Sequence, residues 1–173
     1  ETLTLAIDST HQSLQKTLTK IPSIRRLKCV DVHDGVHDGI LVLEHLSRLE
    51  SLKMSSFKGY EFEFPLNLRK LTLSNNRQPW SKISAIGKLP NLEVLKLRND
   101  SFVGEKWEME DREFQNLRFL ELSKLDIRWW TASSDNFCCL EKLVLYNCDR
   151  LKEVPCCLGE TLTLDIIEMT SCH

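Results

Sequence analysis

The sequence lacks the features that would assign it to a membrane, to nucleic acid or to catalysis. No apolar run approaches the ~20 residues that a transmembrane helix needs, and Glu1 is neither an initiator methionine nor the start of a signal peptide. A net charge of -2 and a pI of about 6.2 give no bulk attraction to nucleic acid. No Ser/His/Asp or Cys/His constellation is evident, so the chain is not expected to be an enzyme.

Two ligand-binding patterns are also missing. Without a G-x-x-x-x-G-K-[ST] loop, the chain cannot bind a nucleotide by that route. Its seven cysteines form neither a C-x-x-C zinc pair nor a disulfide framework. Cys29, Cys148 and Cys172 fall at core positions of the pattern described next, so they are expected to be buried thiols. This cysteine usage favours a reducing cytosol.

One apolar pattern occurs seven times instead. Each copy has the form Leu-x-x-Leu-x-Leu, as in Leu92-x-x-Leu95-x-Leu97, and some copies substitute Ile, Met or Cys. A partial copy, Leu3-x-Leu5, opens the chain. The third apolar positions are separated by 24, 25, 19, 24, 25, 23 and 24 residues. This spacing is the period of leucine-rich repeats.

The pattern predicts an α/β leucine-rich repeat solenoid shaped as a curved horseshoe, with residues 1–173 forming one array of about seven to eight repeats. Apolar residues two apart point to the same side of a strand, so parallel stacking buries them and leaves the alternate residues on a concave sheet. Neither end shows a capping unit, so the chain is expected to be a fragment.

The segments that lead from one concave strand to the next along the convex side, here called the returns, are expected to be irregular and mostly non-helical. Apolar spacing predicts short helices at Val42–Leu49 and at Ser81–Leu89, the second capped by Ser81. The 19-residue step between Met54 and Leu73 leaves room only for a tight, extended return. The longest spacer, residues 99–116, should bulge outward.

The concave face can be assigned by counting alternate residues. Its early repeats carry bases and no acid, namely Arg26, Lys28, Lys53, Lys70, Lys96 and Arg98. Its later repeats carry Phe119, Glu121, Lys142, Val144, Tyr146, Ile166 and Glu168. Charge of one sign on one half could steer an acidic protein partner, or it could simply keep a sheet soluble. Phe119 and Ile166 could form a contact patch or be covered by a neighbouring domain.

Three other features have two interpretations each. His33–Gly39 contains two His-Asp pairs that could hold a metal, although a solvated loop is favoured. The acidic run Glu105–Glu113 could dock a partner, although a solvated surface with Trp107 packed beneath it is favoured. Trp129-Trp130 could anchor an interface, although packing in place of a helix is favoured.

Four phrases along the chain resemble one protein family. FPLNLRKLTLS spans Phe64–Ser74 and IGKLPNLEVLKL spans Ile86–Leu97. A third covers residues 102–107 and 114–122, and a fourth joins LEKLVL at Leu140 to LKEVP, which ends at Pro155. In this order they are similar to the leucine-rich repeat region of plant intracellular NB-LRR disease-resistance proteins, in particular the coiled-coil class of the nightshade family.

This resemblance implies a cytoplasmic immune receptor and no enzyme activity in this chain. ADP or ATP would be held by an upstream nucleotide-binding switch that is missing here, so no cofactor is expected in the fragment. The early bases would contact that switch and keep it off, and the later residues would help to recognise a pathogen effector or a guarded host protein. The alternative is the substrate-recognition array of a plant F-box protein. An extracellular receptor array would need a signal peptide and paired cysteine caps, neither of which is evident.

Overall fold

The computed structural model describes residues 2–7, 11–33, 35–36 and 39–172. Most of the regular structure in these residues is strand, with two short α-helices. The strands are β1 (Thr2–Ile7), β2 (Arg26–Asp31), β3 (Gly39–Val42), β4 (Ser51–Ser55), β5 (Tyr60–Glu63), β6 (Lys70–Ser74), β7 (Gln78–Pro79), β8 (Val94–Arg98), β9 (Phe102–Val103), β10 (Lys106–Glu108), β11 (Phe119–Ser123), β12 (Trp129–Thr131), β13 (Lys142–Tyr146) and β14 (Ile166–Thr170). The helices are α1 (His11–Thr19) and α2 (Ser84–Gly87), and 3₁₀ turns cover Trp80–Lys82 and Cys156–Glu160. Neither described helix is long and apolar enough to cross a membrane.

One parallel sheet of eight strands, here called the main sheet, runs through the chain. Its order is β1-β2-β4-β6-β8-β11-β13-β14, so it grows in one direction along the sequence. Parallel neighbours need a long connection between them, and the residues between successive main-sheet strands supply it. The remaining strands form three two-stranded sheets within those connections. The predicted α/β class with a parallel sheet and few helices is confirmed, and the arrangement is solenoid-like.

Leucines set the register of the main sheet. Leu71 lies beside Leu95, Leu95 beside Leu120, and Leu120 beside Leu143. All four are fully buried, and burial of one leucine contributes about 1.5–3 kcal/mol. A slip of one residue would turn every one of them toward water. The register predicted from the repeat is confirmed along the sheet.

The chain leaves the main sheet through the same turn in successive units. A non-glycine residue with a left-handed backbone, φ between 47° and 69°, directly follows each strand of the main sheet from β4 onward. These residues are Ser56, Asn75, Asn99, Lys124, Asn147 and Ser171. Their short polar members tolerate this conformation best. Turn amides donate to the next unit, as Lys124 N does to Tyr146 O at 2.8 Å, so the units stack through the turns as well.

An alternating charge ladder runs just before the strands. The residues are Arg25, Glu50, Arg69, Glu93, Arg118 and Glu141, and consecutive members pair. The Arg118–Glu141 distance is 2.8 Å, and all three pairs are exposed, so each stabilises the fold only slightly. Asparagine amides add a second contact between units, as Asn91 and Asn116 donate to Leu66 O and Pro90 O at 2.9 and 2.7 Å.

The predictions for the helices were partly wrong. Val42–Leu49 is not helical: β3 ends at Val42, and successive turns follow. Leu46 N bonds Leu43 O, and Leu49 N bonds Leu46 O, so a three-residue turn period places these leucines on one buried side. A helical return near Ser81 is present, but it starts as a 3₁₀ turn after Pro79 and has no side-chain cap. The unpredicted helix α1 buries Leu14 and Leu18, which are four residues apart.

The returns also differ from expectation at the longest spacer. The return after Met54 is extended, as predicted, and contains β5. Residues 99–116 do not bulge outward as a whole, because β10 pairs with β12 and Trp107 is fully buried. Trp107 stacks on Trp80 at 4.8 Å and on Trp130 at 4.9 Å between ring centroids. Trp107 and Trp130 therefore pack inside, as favoured, whereas Trp129 is 37% exposed with Arg128 4.6 Å from its ring.

All seven cysteines are free thiols. Cys29 and Cys148 are buried, as predicted, and Cys172 is half-buried. Burial raises the pKa of the Cys29 thiol to about 12, so this sulfur behaves as an apolar core atom at neutral pH.

Replacing Trp107 should show that the indole stack holds three returns together. Trp107→Ala is expected to cost about 3–5 kcal/mol, because it leaves a cavity between two stacked rings. Trp129→Ala removes an indole from the surface and is expected to cost about 1 kcal/mol or less. Urea unfolding followed by circular dichroism measures both, and equal losses would contradict the assigned packing.

Gly87 is expected to be intolerant of a side chain. A Cβ atom at Gly87 would lie 2.9 Å from Glu113 Cβ and Cδ, whereas none at Gly159 would meet an atom within 4 Å. Gly87→Ala should therefore destabilise the chain by about 1–3 kcal/mol, and Gly159→Ala should be close to neutral. Thermal melts of the two variants provide the comparison, and a neutral Gly87→Ala would refute the contact.

Candidate functional site

The main sheet places all thirteen predicted site residues on one side, here called the polar face. The central row follows Lys28, Lys53, Thr72, Lys96, Glu121, Val144 and Glu168. The row before it follows Arg26, Ser51, Lys70, Val94, Phe119, Lys142 and Ile166. Arg98 and Tyr146 lie in the row after it. This placement agrees with the assignment made by counting alternate residues along each strand. The binding role of these residues stays a prediction.

Two of the six bases, Lys96 and Arg98, share one carboxylate, that of Glu121. Arg98 Nε and Nη2 donate to the Glu121 carboxylate at 2.6 and 2.9 Å, and Lys96 Nζ lies 3.3 Å from Glu121 Oε2. Desolvation alone would raise the pKa of Glu121, but the hydrogen bonds and charges of Arg98 and Lys96 outweigh it and lower the pKa. Glu121 is therefore a half-buried anion held by two cations.

The other four bases have no acidic side chain paired with them among the described residues. Together they are called the basic rows. Arg26, Lys28, Lys53 and Lys70 are exposed, and within the described residues none of them has an ion pair or side-chain hydrogen bond. Lys28 lies directly beside Lys53 in the sheet, where strands are about 4.8 Å apart. Like charges in this position destabilise a sheet, so folding alone does not account for them.

A shallow depression of about 760 Å³ covers the centre of these rows. Three members of the basic rows line it, namely Arg26, Lys53 and Lys70, beside Lys96 and Arg98. The acids Glu50 and Glu93 also line it, and they pair with Arg25 and Arg69. The charge of Arg26 adds to those lowering the pKa of Glu50, after the larger contribution of the Arg25 hydrogen bond. Because both acids are paired, the depression keeps an excess of positive charge.

The later half of the polar face is mixed rather than basic. Lys142 Nζ donates to Glu168 at 2.6 Å, and Phe119 is half-buried with Lys96 Nζ 4.7 Å from its ring centroid. Tyr146 and Ile166 are 42% and 46% exposed, and Val144 is half-buried between Glu121 and Glu168. Apolar and charged groups alternate here, a composition suited to a protein contact.

The sequence interpretation missed the ion pairs that divide the six bases. Counting placed Glu121 beside Lys96, so the signal was present in the register. It also missed the charge ladder before the strands, whose alternating signs are legible at steps of 19–25 residues. In both cases the signal is an opposite charge at the neighbouring position of the next repeat.

The other candidate features do not form a second site. Asp34, His37 and Asp38 of the His-Asp duplication lie outside the described residues, and the described part contains no group of three or more His, Cys, Asp or Glu placed to hold a metal. The acidic run is mainly exposed, with Glu110 paired to Lys88. Glu113 differs, because it is buried, and its Oε2 accepts a bond from Glu110 N at 3.3 Å.

Comparison with known proteins finds relatives from the plant Solanum demissum. No family model matches the chain. It is 32% identical over 183 aligned residues, covering all of this chain, to "Putative late blight resistance protein homolog R1B-16" of Solanum demissum, and 34% identical over 173 residues, covering 93% of the chain, to homolog R1B-12. Homolog R1B-13 is 33% identical over 176 residues, covering 98% of the chain. The chain spans 14%, 12% and 15% of these three relatives.

The Glu121 ion pairs generate a pH dependence. Glu121→Gln should reduce stability at pH 7, because Lys96 and Arg98 then lie together without an anion. The folded-state pKa of Glu121 is lowered, so its contribution is complete above the unfolded-state value of about 4.3 and is lost as the pH falls through the folded value. The free energies of urea unfolding of wild type and variant should therefore approach each other as the pH falls below about 4.3.

The matched control is Glu108→Gln, since Glu108 is exposed and pairs with no other described residue. This variant should track the wild type at every pH. A stability difference for Glu121→Gln that is the same at pH 7 and at about pH 3 would contradict the assignment.

Proposed function

We propose that this chain, a homologue of one segment of the late blight resistance proteins of Solanum demissum, is a leucine-rich repeat array that binds protein surfaces in plant disease resistance. Its repeated strands and single buried leucine core support the repeat assignment. The observation that carries the binding role is the basic rows, four exposed bases without ion-pair partners among the described residues. Charge of one sign on an exposed face favours a complementary partner.

The two halves of the polar face suit two different contacts. The basic half would bind an acidic surface of the nucleotide-binding switch in the same cytoplasmic NB-LRR receptor and hold that switch off. The later half, with Tyr146 and Ile166 exposed, would contribute to recognition of a pathogen effector or a guarded host protein. ADP or ATP would be bound in the receptor outside this segment, and the segment itself would contribute binding rather than catalysis.

The F-box alternative receives no support from the relatives. The three described above are named as resistance protein homologs, and the same polar face would otherwise serve either role. The resistance-protein interpretation is therefore preferred.

Charge reversal in the basic rows tests this function. Lys53→Glu in the full-length receptor should release the switch, because the acidic partner is then repelled, and cell death should appear in leaves without any pathogen. Lys53 is a cleaner site than Lys96, which pairs with Glu121. The control is Lys106→Glu, since Lys106 is also an exposed strand lysine but lies in β10 outside the main sheet. A resting state that Lys53→Glu leaves unchanged would overturn the autoinhibitory role.

A further inference from the structure

One acidic side chain already occupies part of the basic surface. The Glu121 carboxylate takes two bonds from Arg98 and lies beside Lys96, and only 13% of its side chain is exposed. It reaches both bases from the neighbouring strand, Lys96 directly beside it and Arg98 two residues further on. This is the geometry in which a carboxylate from a partner would bind to the polar face.

We propose that Glu121 is an internal competitor that confines an acidic partner segment to Arg26, Lys28, Lys53 and Lys70. The inference rests on the proposed function and specifies where the acidic partner binds and what limits it. The partner is a short protein segment with several Asp or Glu side chains. Arg26 can take a carboxylate through two parallel bonds, and the lysines act as point charges.

The lateral neighbours of the basic rows explain why these sites stay open. The strand positions beside Lys53 are Lys28 and Thr72, and those beside Lys70 are Ser51 and Val94. None of these four is an acid, so no carboxylate reaches the rows in the way that Glu121 reaches Lys96. The depression is lined by residues of five neighbouring strands, β2, β4, β6, β8 and β11, and gives an extended segment room to lie across them.

An anionic segment would also relieve a repulsion within the fold. Lys28 and Lys53 lie side by side without a counter-charge among the described residues. A carboxylate between them would stabilise the sheet as well as bind, so ligand binding and the free energy of unfolding should be coupled.

Two substitutions with opposite effects test the inference. The probe is a fluorescein-labelled hexaglutamate peptide, titrated with the full 173-residue chain at low ionic strength and followed by fluorescence anisotropy. Glu121→Gln frees two more cations and should tighten binding by about threefold to tenfold, with a steeper salt dependence. Thr72→Glu places a carboxylate beside Lys53 and Lys96 and should weaken binding by about tenfold.

The melting temperature of Thr72→Glu distinguishes weaker binding from loss of folding. Thr72→Glu should raise the melting temperature, because its carboxylate is flanked by two lysines, so weaker binding could not be ascribed to unfolding. The control Thr72→Gln should bind as the wild type does. These results together would support the competitor role.

The contrary outcomes separate this inference from the proposed function. If Lys53→Gln weakens binding but a folded Glu121→Gln binds as the wild type does, Glu121 is no competitor and the inference fails while the basic docking surface stands. If a folded Thr72→Glu binds as tightly as the wild type, the segment does not lie on these rows and the inference is overturned. The resting state of the receptor carrying Lys53→Glu remains an independent test of autoinhibition.

Discussion

The structure depends on one constraint, that each apolar strand can bury its side chains only against the strand of the next unit. Leu143 and Leu145 are fully buried between β11 and β14. Ile167 and Met169 occupy the equivalent positions in β14, yet they are 50% and 56% exposed, because no other described strand pairs with the far edge of β14. Burial is thus a property of neighbouring units rather than of the residue type, as expected for a repeat architecture.

This constraint also determines what the polar face can do. Leucines occupy every second strand position and form the buried core. The alternate positions can therefore vary in charge without any loss of buried apolar surface. The charge ladder before the strands, Arg25 to Glu141, uses opposite signs and pairs internally. In contrast, Lys28 and Lys53 place like charges side by side. The contrast indicates that pairing between neighbouring strands is available to this fold, although no described acid pairs with Lys28 or Lys53.

The sequence was sufficient to predict the main sheet, its register and the three rows of the polar face, since a period-two strand pattern repeated at steps of 19–25 residues leaves one consistent alignment. The returns were less predictable. Leu43, Leu46 and Leu49 fit both a helix and a series of three-residue turns, and packing under the sheet selected the turns. The Glu121 ion pairs could have been found from the register alone, whereas the depth of burial of Glu113 depends on the close approach of Gly87, which no sequence pattern encodes.

The central claim is that the basic rows are a docking surface for an acidic protein segment. Site-specific photo-crosslinking in the full-length protein tests it most directly, with a photoreactive residue in place of Thr72, which lines the depression, and, as the comparison, in place of the exposed Glu108 on β10. The expected result is a crosslink from position 72, absent from position 108, that maps to an acidic stretch outside this segment. A crosslink pattern that is the same from both positions, or none from position 72, would contradict it.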